Sequence, residues 1–265
     1  MGEELGVTHK RLEEFFVTVA AAEVRALLLD YDGTLAPFRA DPTTAVPFPG
    51  IREALRLIQS CKRSKVVLVS GRRTQEVSQL LGLKEIEIWG CHGMERLSST
   101  GILYPVNLDF QTAEALARVR KALVDAGLEQ LLETKPTGYA VHWRGLAVEQ
   151  SQSARRTVEA AWDDTPDKDV LRILHFDGGI EICAIAMNKG DVVRQVAASL
   201  GESCAMAYLG DDITDEDAFR ALKGFGLSVL VRETYRNTSA DVWIRPPGGV
   251  LSFLERWAKI CENHA

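Results

Sequence analysis

The chain has 265 residues, of which 46% are hydrophobic, enough to form the core of one large domain or two smaller ones. The net charge of -6 is modest, and no block of lysine and arginine suggests binding to nucleic acid or an anionic membrane. No run reaches the roughly 18 apolar residues of a membrane-spanning helix. The five cysteines are widely spaced, odd in number and without a Cys-x-x-Cys pair, which favours buried thiols in a soluble, cytoplasmic protein.

The first part of the chain alternates helices with short apolar strands. The predicted elements are a helix at 4–22, a strand at 24–29, a helix at 50–60, a strand at 66–69, a helix at 74–81 and strands at 86–89 and 205–209. The strand at 24–29 is apolar at most positions, which is typical of a strand buried on both faces. The alternation predicts a doubly wound, mostly parallel sheet, and such sheets bind ligands beyond the carboxyl ends of their strands.

The middle of the chain has a different pattern. Predicted helices at 113–126 and 151–163 alternate with more polar strands at 139–144 and 171–176. We expect residues 108–185 to form a smaller α/β cap domain, inserted into a core domain made of residues 1–107 and 186–265. The predicted fold class is therefore α/β.

Two aspartates, Asp30 and Asp32, directly follow the first predicted strand. Since side chains alternate along a strand, both carboxylates point to one face, where they would repel each other. Mg²⁺ would relieve this repulsion, because it takes oxygen ligands and binds through few carboxylates together with substrate phosphate. One carboxylate could then attack phosphorus while the other transfers protons. Gly33 permits a sharp turn that brings backbone N–H groups close to phosphate oxygens. The alternative is a solvated turn with two incidental acids.

The segment DYDGTL at 30–35 resembles the first motif of the haloacid dehalogenase superfamily of phosphatases. This resemblance implies that Asp30 is the nucleophile and Asp32 the general acid and base. Ser70 and Lys189 match the second and third motifs, and they are implied to contact the transferring phosphoryl group. Each later motif alone is more often an ordinary turn or solvated charge, so the assignment depends on their order and spacing.

The fourth motif of the superfamily is matched by GDDITD at 210–215. The resemblance implies a Mg²⁺ site in which Asp30, the backbone carbonyl of Asp32 and Asp211 are direct ligands. Asp215 is implied to bind the ion through water. The expected cofactor is therefore Mg²⁺.

A closer resemblance, over nearly the whole chain, is to the trehalose-6-phosphate phosphatase family. GDDITDEDAF at 210–219 is very similar to that family's fourth motif, and GCHGME at 90–95 resembles its Gly-x-His-Gly-x-Glu. In the predicted cap, ETKPTGYAVHWR at 133–144 resembles its Glu-x-Lys and His-x-Arg elements, which implies contacts with sugar. The expected substrate-binding residues are Arg72, His92, Glu133, Lys135, His142, Arg144 and Glu181. His92 could equally be a turn residue, and the cap residues could be the polar face of an alternating strand.

One departure from the family pattern affects the expected substrate. Where the family usually has Glu-Ile-Arg-Pro, this chain has Glu-Ile-Cys-Ala at 181–184. Cysteine cannot supply the planar fork of donors that arginine has, so one phosphate or sugar contact is expected to differ. The expected substrate is trehalose 6-phosphate, and the alternative is another phosphorylated disaccharide, pseudo-disaccharide or glucosylglycerate-type sugar phosphate.

Two other functions remain open from the sequence. A phosphomutase of the same superfamily would return phosphate to the sugar, whereas a phosphatase releases it. A catalytically silent sugar-phosphate sensor would retain only binding, but Asp30, Asp32, Lys189 and Asp211 are all present. We expect a monomeric enzyme whose partner is a small sugar phosphate.

Overall fold

The structure is a computed structural model that describes residues 2–39, 41–176, 178–201 and 203–262. The chain divides into two compact units, Met1–Tyr104 together with Asn188–Ala265, and Pro105–Met187. The predicted insertion at 108–185 falls within the second unit. None of the described helices combines the length and the apolarity needed to cross a membrane.

The helices and strands follow one another along the chain in three segments. The first segment contains α1 (Gly2–Ala21), β1 (Val24–Leu29), α2 (Ile51–Ser60), β2 (Ser64–Val69), α3 (Thr74–Leu81), β3 (Glu87–Gly90), β4 (Glu95–Leu97) and β5 (Leu103–Tyr104). The second unit contains α4 (Phe110–Asp125), β6 (Leu132–Lys135), β7 (Gly138–His142), α5 (Val148–Asp163), β8 (Leu171–Phe176) and β9 (Gly179–Ala184). The last segment contains α6 (Lys189–Leu200), β10 (Cys204–Gly210), α7 (Glu216–Leu222), β11 (Gly226–Val231), β12 (Val242–Ile244) and α8 (Gly248–Glu262).

An eight-stranded sheet with the strand order β12-β11-β10-β1-β2-β3-β4-β5 organises the first unit. Strands β12 to β3 run parallel, and only β4 and β5 at one edge are antiparallel. Strand β1 lies between β10 and β2, with Leu29 opposite both Leu209 and Leu68. The carboxyl ends of these three strands therefore lie side by side. The predicted α/β fold class with a doubly wound, mostly parallel sheet is confirmed.

Helices cover both faces of this sheet. On one face, Leu27 and Leu29 of β1 belong to a core that includes Leu55 of α2 and Trp257 of α8, all with no exposed surface. On the other face, the ring of Tyr208 in β10 packs edge-on against Phe219 of α7. Because both faces are covered, the central strands are apolar almost throughout, as parallel strands usually are. Polar side chains are thereby concentrated where the strands end.

The second unit is a four-stranded antiparallel sheet with the order β6-β7-β9-β8, covered on one face by α4 and α5. The covered face is apolar and includes Val141, Ile180 and Ile182, which pack with Leu116 and Val158 of the helices. Since side chains alternate along each strand, most polar residues of the same strands point to the opposite face. The side chains of this polar face come from Glu133, Lys135, His142, Arg172, Glu181 and Cys183.

Some predicted boundaries were wrong by a few residues. The strand predicted at 139–144 ends at His142, so Arg144 lies in the following turn and is exposed. The strand predicted at 86–89 is shifted by one residue, to Glu87–Gly90. Helix α4 begins at Phe110 instead of 113, because Asp109 caps it by accepting a hydrogen bond from the Thr112 N–H at 2.7 Å.

Candidate active site

Three site residues follow three adjacent parallel strands. Asp30 follows β1, Ser70 follows β2 and Asp211 follows β10. The backbone N–H of Asp30 donates to the carbonyl of Leu209 at 2.9 Å, which continues the strand pairing up to the carboxylate. Asp30 and Asp211 are each only 4% exposed. The sheet thus places two buried acids next to each other although they are far apart in sequence.

Asp30, Asp211 and Asp215 form a buried carboxylate cluster in which one oxygen from each lies within 4.8 Å of the others. The ammonium of Lys189 contacts two of them, at 2.7 Å from Oδ1 of Asp30 and 2.7 Å from Oδ1 of Asp215. Three ionised carboxylates and one ammonium leave two negative charges, which a divalent cation would neutralise. The all-oxygen donor set is of the type that Mg²⁺ prefers. The cluster therefore fits the expected cofactor.

Burial and the neighbouring charges shift the pKa values of the charged groups in the cluster. Burial raises the pKa of Asp30 to about 7, although Lys189 opposes the shift. Burial, with repulsion from Asp30 and Asp215, also raises the pKa of Asp211 well above its ordinary value. Burial alone would lower the pKa of Lys189, but Asp215 and Asp30 more than compensate and raise it. The lysine therefore stays charged, while the carboxylates need a further cation in order to ionise fully.

Asp215 is the most thoroughly hydrogen-bonded member of the cluster. Its Oδ1 accepts from Lys189 and from the hydroxyl of Tyr208, at 2.7 and 2.6 Å. Its Oδ2 accepts from the backbone N–H groups of Asp211 and Asp212, at 3.0 and 2.9 Å. Because an ionised carboxylate has about four acceptor sites, few remain for a direct bond to a metal ion. This arrangement is consistent with the expectation that Asp215 contacts Mg²⁺ through water.

Lys189 is positioned by the start of α6, where it is the first helical residue. Asn188 caps this helix, since its side chain accepts from the Asp191 N–H at 3.0 Å and its own N–H donates to the Asp191 side chain at 2.9 Å. This reciprocal cap fixes where the helix begins. The cap thereby holds the lysine against the carboxylates.

Asp32 is held outside the carboxylate cluster by an arginine. Arg72 donates from Nε to Oδ2 of Asp32 at 2.6 Å and from Nη2 to Oδ1 at 2.8 Å. A third donor of Arg72, Nη1, reaches the carbonyl of Pro42 at 2.9 Å. Both oxygens of Asp32 are thus engaged in a bidentate pair. The sequence did not indicate this pairing of two predicted site residues.

Ser70 and His92 lie in neighbouring buried turns. Ser70 is 1% exposed, and its Oγ accepts from the Arg72 N–H at 3.1 Å, which leaves the hydroxyl proton available to donate. The His92 N–H donates to the carbonyl of Ser70 at 3.0 Å, and the His92 residue has a left-handed backbone with φ of 58°. Its imidazole ring lies against Gly71, where a Cβ would be 2.8 Å from Cε1.

Gly33 has a φ of 79°, and a Cβ at this position would lie 2.3 Å from Oδ2 of Asp211. We expect the substitution Gly33→Ala to displace the Asp211 carboxylate and to weaken Mg²⁺ binding by at least about tenfold, or ~1.4 kcal/mol. Isothermal titration calorimetry with MgCl₂ measures this affinity. Gly101→Ala is the matched control, since Gly101 has a similar φ of 86° but no atom within 4 Å of a Cβ. Equal Mg²⁺ affinity in wild type and Gly33→Ala would contradict the expectation.

On the polar face of the second unit, the predicted sugar-contacting residues form two pairs. Nε2 of His142 and Oε2 of Glu133 are 2.6 Å apart, and Nζ of Lys135 donates to Oε2 of Glu181 at 2.6 Å. The hydrogen bond from His142 lowers the pKa of Glu133. Burial alone would lower the pKa of Lys135, but Glu181 and Glu133 raise it instead. Arg144 is exposed in the turn after β7.

Two residues that support the carboxylate cluster and the turn after Ser70 were not predicted from the sequence to be site residues. Tyr208 donates to Asp215 from within β10, and the only signal was a polar hydroxyl in an otherwise apolar strand. Glu95, part of the GCHGME segment, is 3% exposed and accepts from the Thr74 N–H at 2.7 Å. This contact caps α3, so Glu95 stabilises the turn that follows Ser70.

Comparison with known proteins identifies the family. The family profile described as Trehalose-phosphatase matches residues 28–242, most of the chain. The chain belongs to the trehalose-phosphatase family. Within this family, the chain is 30% identical to a probable trehalose-phosphate phosphatase 3 of Oryza sativa subsp. japonica over 282 residues, covering 96% of this chain and 76% of that protein. It is 32% identical to a trehalose-phosphate phosphatase of Mycobacterium marinum over 246 residues, covering 88% of this chain and 61% of that protein.

A solved structure of similar fold supports the fold of this chain. The C-terminal domain of Candida albicans trehalose-6-phosphate phosphatase superposes with a TM-score of 0.80 at 22% identity, covering 94% of this chain and 96% of that chain. The profile match and the two relatives confirm the resemblance inferred from the motifs, and the superposition supports the fold. All of the predicted site residues lie within the part of the chain that the trehalose-phosphatase profile matches.

Proposed function

We propose that this chain is a Mg²⁺-dependent phosphatase that hydrolyses trehalose 6-phosphate to trehalose and phosphate through an aspartyl-phosphate intermediate. The observation that carries the proposal is the buried cluster of Asp30, Asp211 and Asp215 with Lys189 at the ends of adjacent parallel strands. A nucleophilic carboxylate, oxygen ligands for a divalent cation and a fixed ammonium are the groups that phosphoryl transfer requires.

In this proposal Mg²⁺ would be held by Asp30, Asp211 and the backbone carbonyl of Asp32, and Asp215 would contact it through water. The ion, when bound, neutralises charge on the phosphoryl oxygens. Lys189 donates to a phosphoryl oxygen and keeps Asp30 in its contact position, at 2.7 Å from the ammonium. The hydroxyl of Ser70 donates to another phosphoryl oxygen.

The proposed reaction has two steps at Asp30. A carboxylate oxygen of Asp30 forms a bond to phosphorus while the bond from phosphorus to the sugar oxygen breaks, and Asp32 gives its proton to that oxygen. In the second step Asp32 takes a proton from water, and the water oxygen attacks phosphorus. The bond between phosphorus and Asp30 then breaks, which releases inorganic phosphate and restores the carboxylate.

The Arg72–Asp32 pair has a consequence for this mechanism. Both oxygens of Asp32 accept hydrogen bonds from the guanidinium, which favours the ionised carboxylate, so Asp32 is a better proton donor to the sugar oxygen once the pair has opened. A substrate phosphate is a competing acceptor that binds arginine in the same bidentate way. We therefore assign Arg72 two alternating partners, Asp32 before substrate binds and the substrate afterwards, in agreement with its predicted substrate-binding role.

The polar face of the second unit supports the proposal that the part of the substrate other than the phosphate is a sugar. Glu133, Lys135, His142 and Glu181 offer both donors and acceptors on one surface, and we propose that they and Arg144 bind sugar hydroxyls. Sites that hydrogen-bond a hydroxyl reject analogues without it strongly, by about 10⁴–10⁵, because their own polar groups would be left unpaired. The remaining candidate substrates are another phosphorylated disaccharide, a pseudo-disaccharide phosphate or a glucosylglycerate-type sugar phosphate, since Cys183 stands where the family usually has arginine.

The proposal is tested by measuring phosphate release from trehalose 6-phosphate, sucrose 6-phosphate and glucose 6-phosphate. We expect the highest kcat/KM with trehalose 6-phosphate, and loss of activity in EDTA that is restored by Mg²⁺. Faster phosphate release from sucrose 6-phosphate would show that trehalose 6-phosphate is not the preferred substrate. No release from any of them, with binding still detected by calorimetry, would favour the sensor, and transfer of phosphate to another sugar position would indicate a mutase.

We also propose that the protein is a monomer in the cytoplasm. The five cysteines are free and buried, which suits a reducing compartment. Light scattering of the purified chain tests the monomer, which has a mass of 29.2 kDa.

A further inference from the structure

Arg172 lies on the polar face of the second unit but was not among the predicted site residues. It is on the edge strand β8, directly opposite Cys183 of β9. Cys183 and Glu181 are two residues apart on β9, so their side chains point to the same face as Arg172. Arg172 therefore shares a surface with the residues that we propose to bind sugar.

The hydrogen bonds of Arg172 leave most of its donors unused. Nη2 donates to the carbonyl of Met187 at 3.0 Å, and the guanidinium faces the thiol of Cys183. Burial and Glu181 raise the pKa of that thiol to about 12, so it is a neutral partner, although Arg172 opposes the shift. The Nε atom is buried and has no hydrogen-bond partner. A guanidinium has five N–H donors, so Arg172 lacks acceptors.

The other two basic residues of this face have carboxylate partners. Lys135 pairs with Glu181 and His142 with Glu133. Among the described residues, no carboxylate forms an ion pair with Arg172. A buried donor without an acceptor costs free energy, which a ligand with oxygen acceptors would recover. Arg172 is thus the basic residue of this face that is most ready to bind a ligand.

The position of Arg172 indicates how large that ligand is. The register places His142 opposite Gly179 and Arg172 opposite Cys183, four residues apart along β9, or about 13 Å. The two residues also lie on strands separated by β9. A single sugar ring cannot contact both ends of this surface, whereas a two-ring sugar can.

We propose that Arg172 is a specificity-determining residue that donates hydrogen bonds to the second ring of a two-ring sugar phosphate. The proposal rests on the proposed function, since it requires that the polar face of the second unit binds the sugar. It adds that Arg172 distinguishes a disaccharide phosphate from a monosaccharide phosphate, with Glu133 and His142 contacting the other end.

The test compares kcat and KM of Arg172→Gln, Arg172→Lys and wild type with trehalose 6-phosphate and glucose 6-phosphate. We expect Arg172→Gln to lower kcat/KM for the disaccharide phosphate by about tenfold to a hundredfold, mainly through KM, because hydrogen bonds from a charged group are lost. The monosaccharide phosphate should be affected less than twofold, and Arg172→Lys should keep part of the discrimination. His175→Gln is the matched control, because His175 is exposed on the same strand and points to the opposite face.

Equal losses with both substrates, or no loss with either, would overturn the proposal. Because Arg172 also holds the Met187 carbonyl, hydrolysis of p-nitrophenyl phosphate and the thermal unfolding temperature are measured in parallel. A loss in both of these would show a structural role and also overturn it. Failure of the proposed function is seen separately, in a wild type that does not prefer trehalose 6-phosphate. The variants are then compared on the two-ring sugar phosphate that the wild type hydrolyses best.

Discussion

Asp30→Asn is expected to reduce phosphate release from trehalose 6-phosphate by at least about 10⁴-fold, or ~5.5 kcal/mol of activation free energy. An amide oxygen is a poor nucleophile towards phosphorus, and the amide also removes one negative charge from the proposed Mg²⁺ site. Asp215 cannot take over, because its carboxylate already accepts four hydrogen bonds. Steady-state phosphate release at saturating Mg²⁺ measures the effect.

The fold of this variant should be intact, since asparagine has the same shape and Asp30 is one of three carboxylates that repel one another. Substrate binding, measured by calorimetry, should also be largely retained. Asp217→Asn is a suitable control, because Asp217 belongs to the same GDDITDEDAF segment but pairs with Arg220 at the surface. Activity of Asp30→Asn within tenfold of wild type would remove Asp30 from the role of nucleophile.

Lys189→Met should destabilise the protein by about 3–5 kcal/mol at pH 8 without a divalent cation. Methionine has a similar length, but the carboxylates of Asp30 and Asp215 lose the ammonium that lies 2.7 Å from each. The ammonium lowers the pKa of Asp30, so its removal raises that pKa further above about 7. Protonation relieves the repulsion as the pH falls, so the loss should be smaller at pH 5 than at pH 8.

Urea unfolding of wild type and Lys189→Met at both pH values, in EDTA, measures this difference. Lys189→Arg is the control for charge, because it keeps the cation and should lose less stability than methionine at pH 8. The activity of Lys189→Met should also be strongly reduced, since no ammonium contacts the phosphoryl group. An equal free energy of unfolding for wild type and Lys189→Met at pH 8 would show that the lysine does not offset the repulsion among the carboxylates of the cluster.

The ends of the core strands were predictable because apolar runs and the residues that follow them are local features. Val24–Leu29 was predicted with its observed bounds, and Asp30 follows it directly. The spacing of apolar residues also predicted α3 with its observed bounds, Thr74–Leu81. Neighbouring parallel strands end at the same edge of a sheet, so acids after different strands were expected to meet.

Contacts between distant residues could not be predicted in the same way. Arg72 and Asp32 are 40 residues apart, and Lys135 and Glu181 are 46 apart, so no local pattern links them. Which strand lies beside which is decided by the packing of the whole sheet, and Arg172 meets Cys183 only because β8 pairs with β9. The role of Tyr208 depends likewise on the three-dimensional position of Asp215.

Phosphate on Asp30 during turnover is the decisive sign of the proposed mechanism. Wild type mixed with trehalose 6-phosphate and Mg²⁺ is quenched in acid, digested and analysed by mass spectrometry. We predict a phosphorylated aspartate in the peptide that contains residues 30–35, and none in EDTA or in Asp30→Asn. Rapid phosphate release without any phosphorylated form of this peptide, together with an active Asp30→Asn, would contradict an aspartyl-phosphate mechanism.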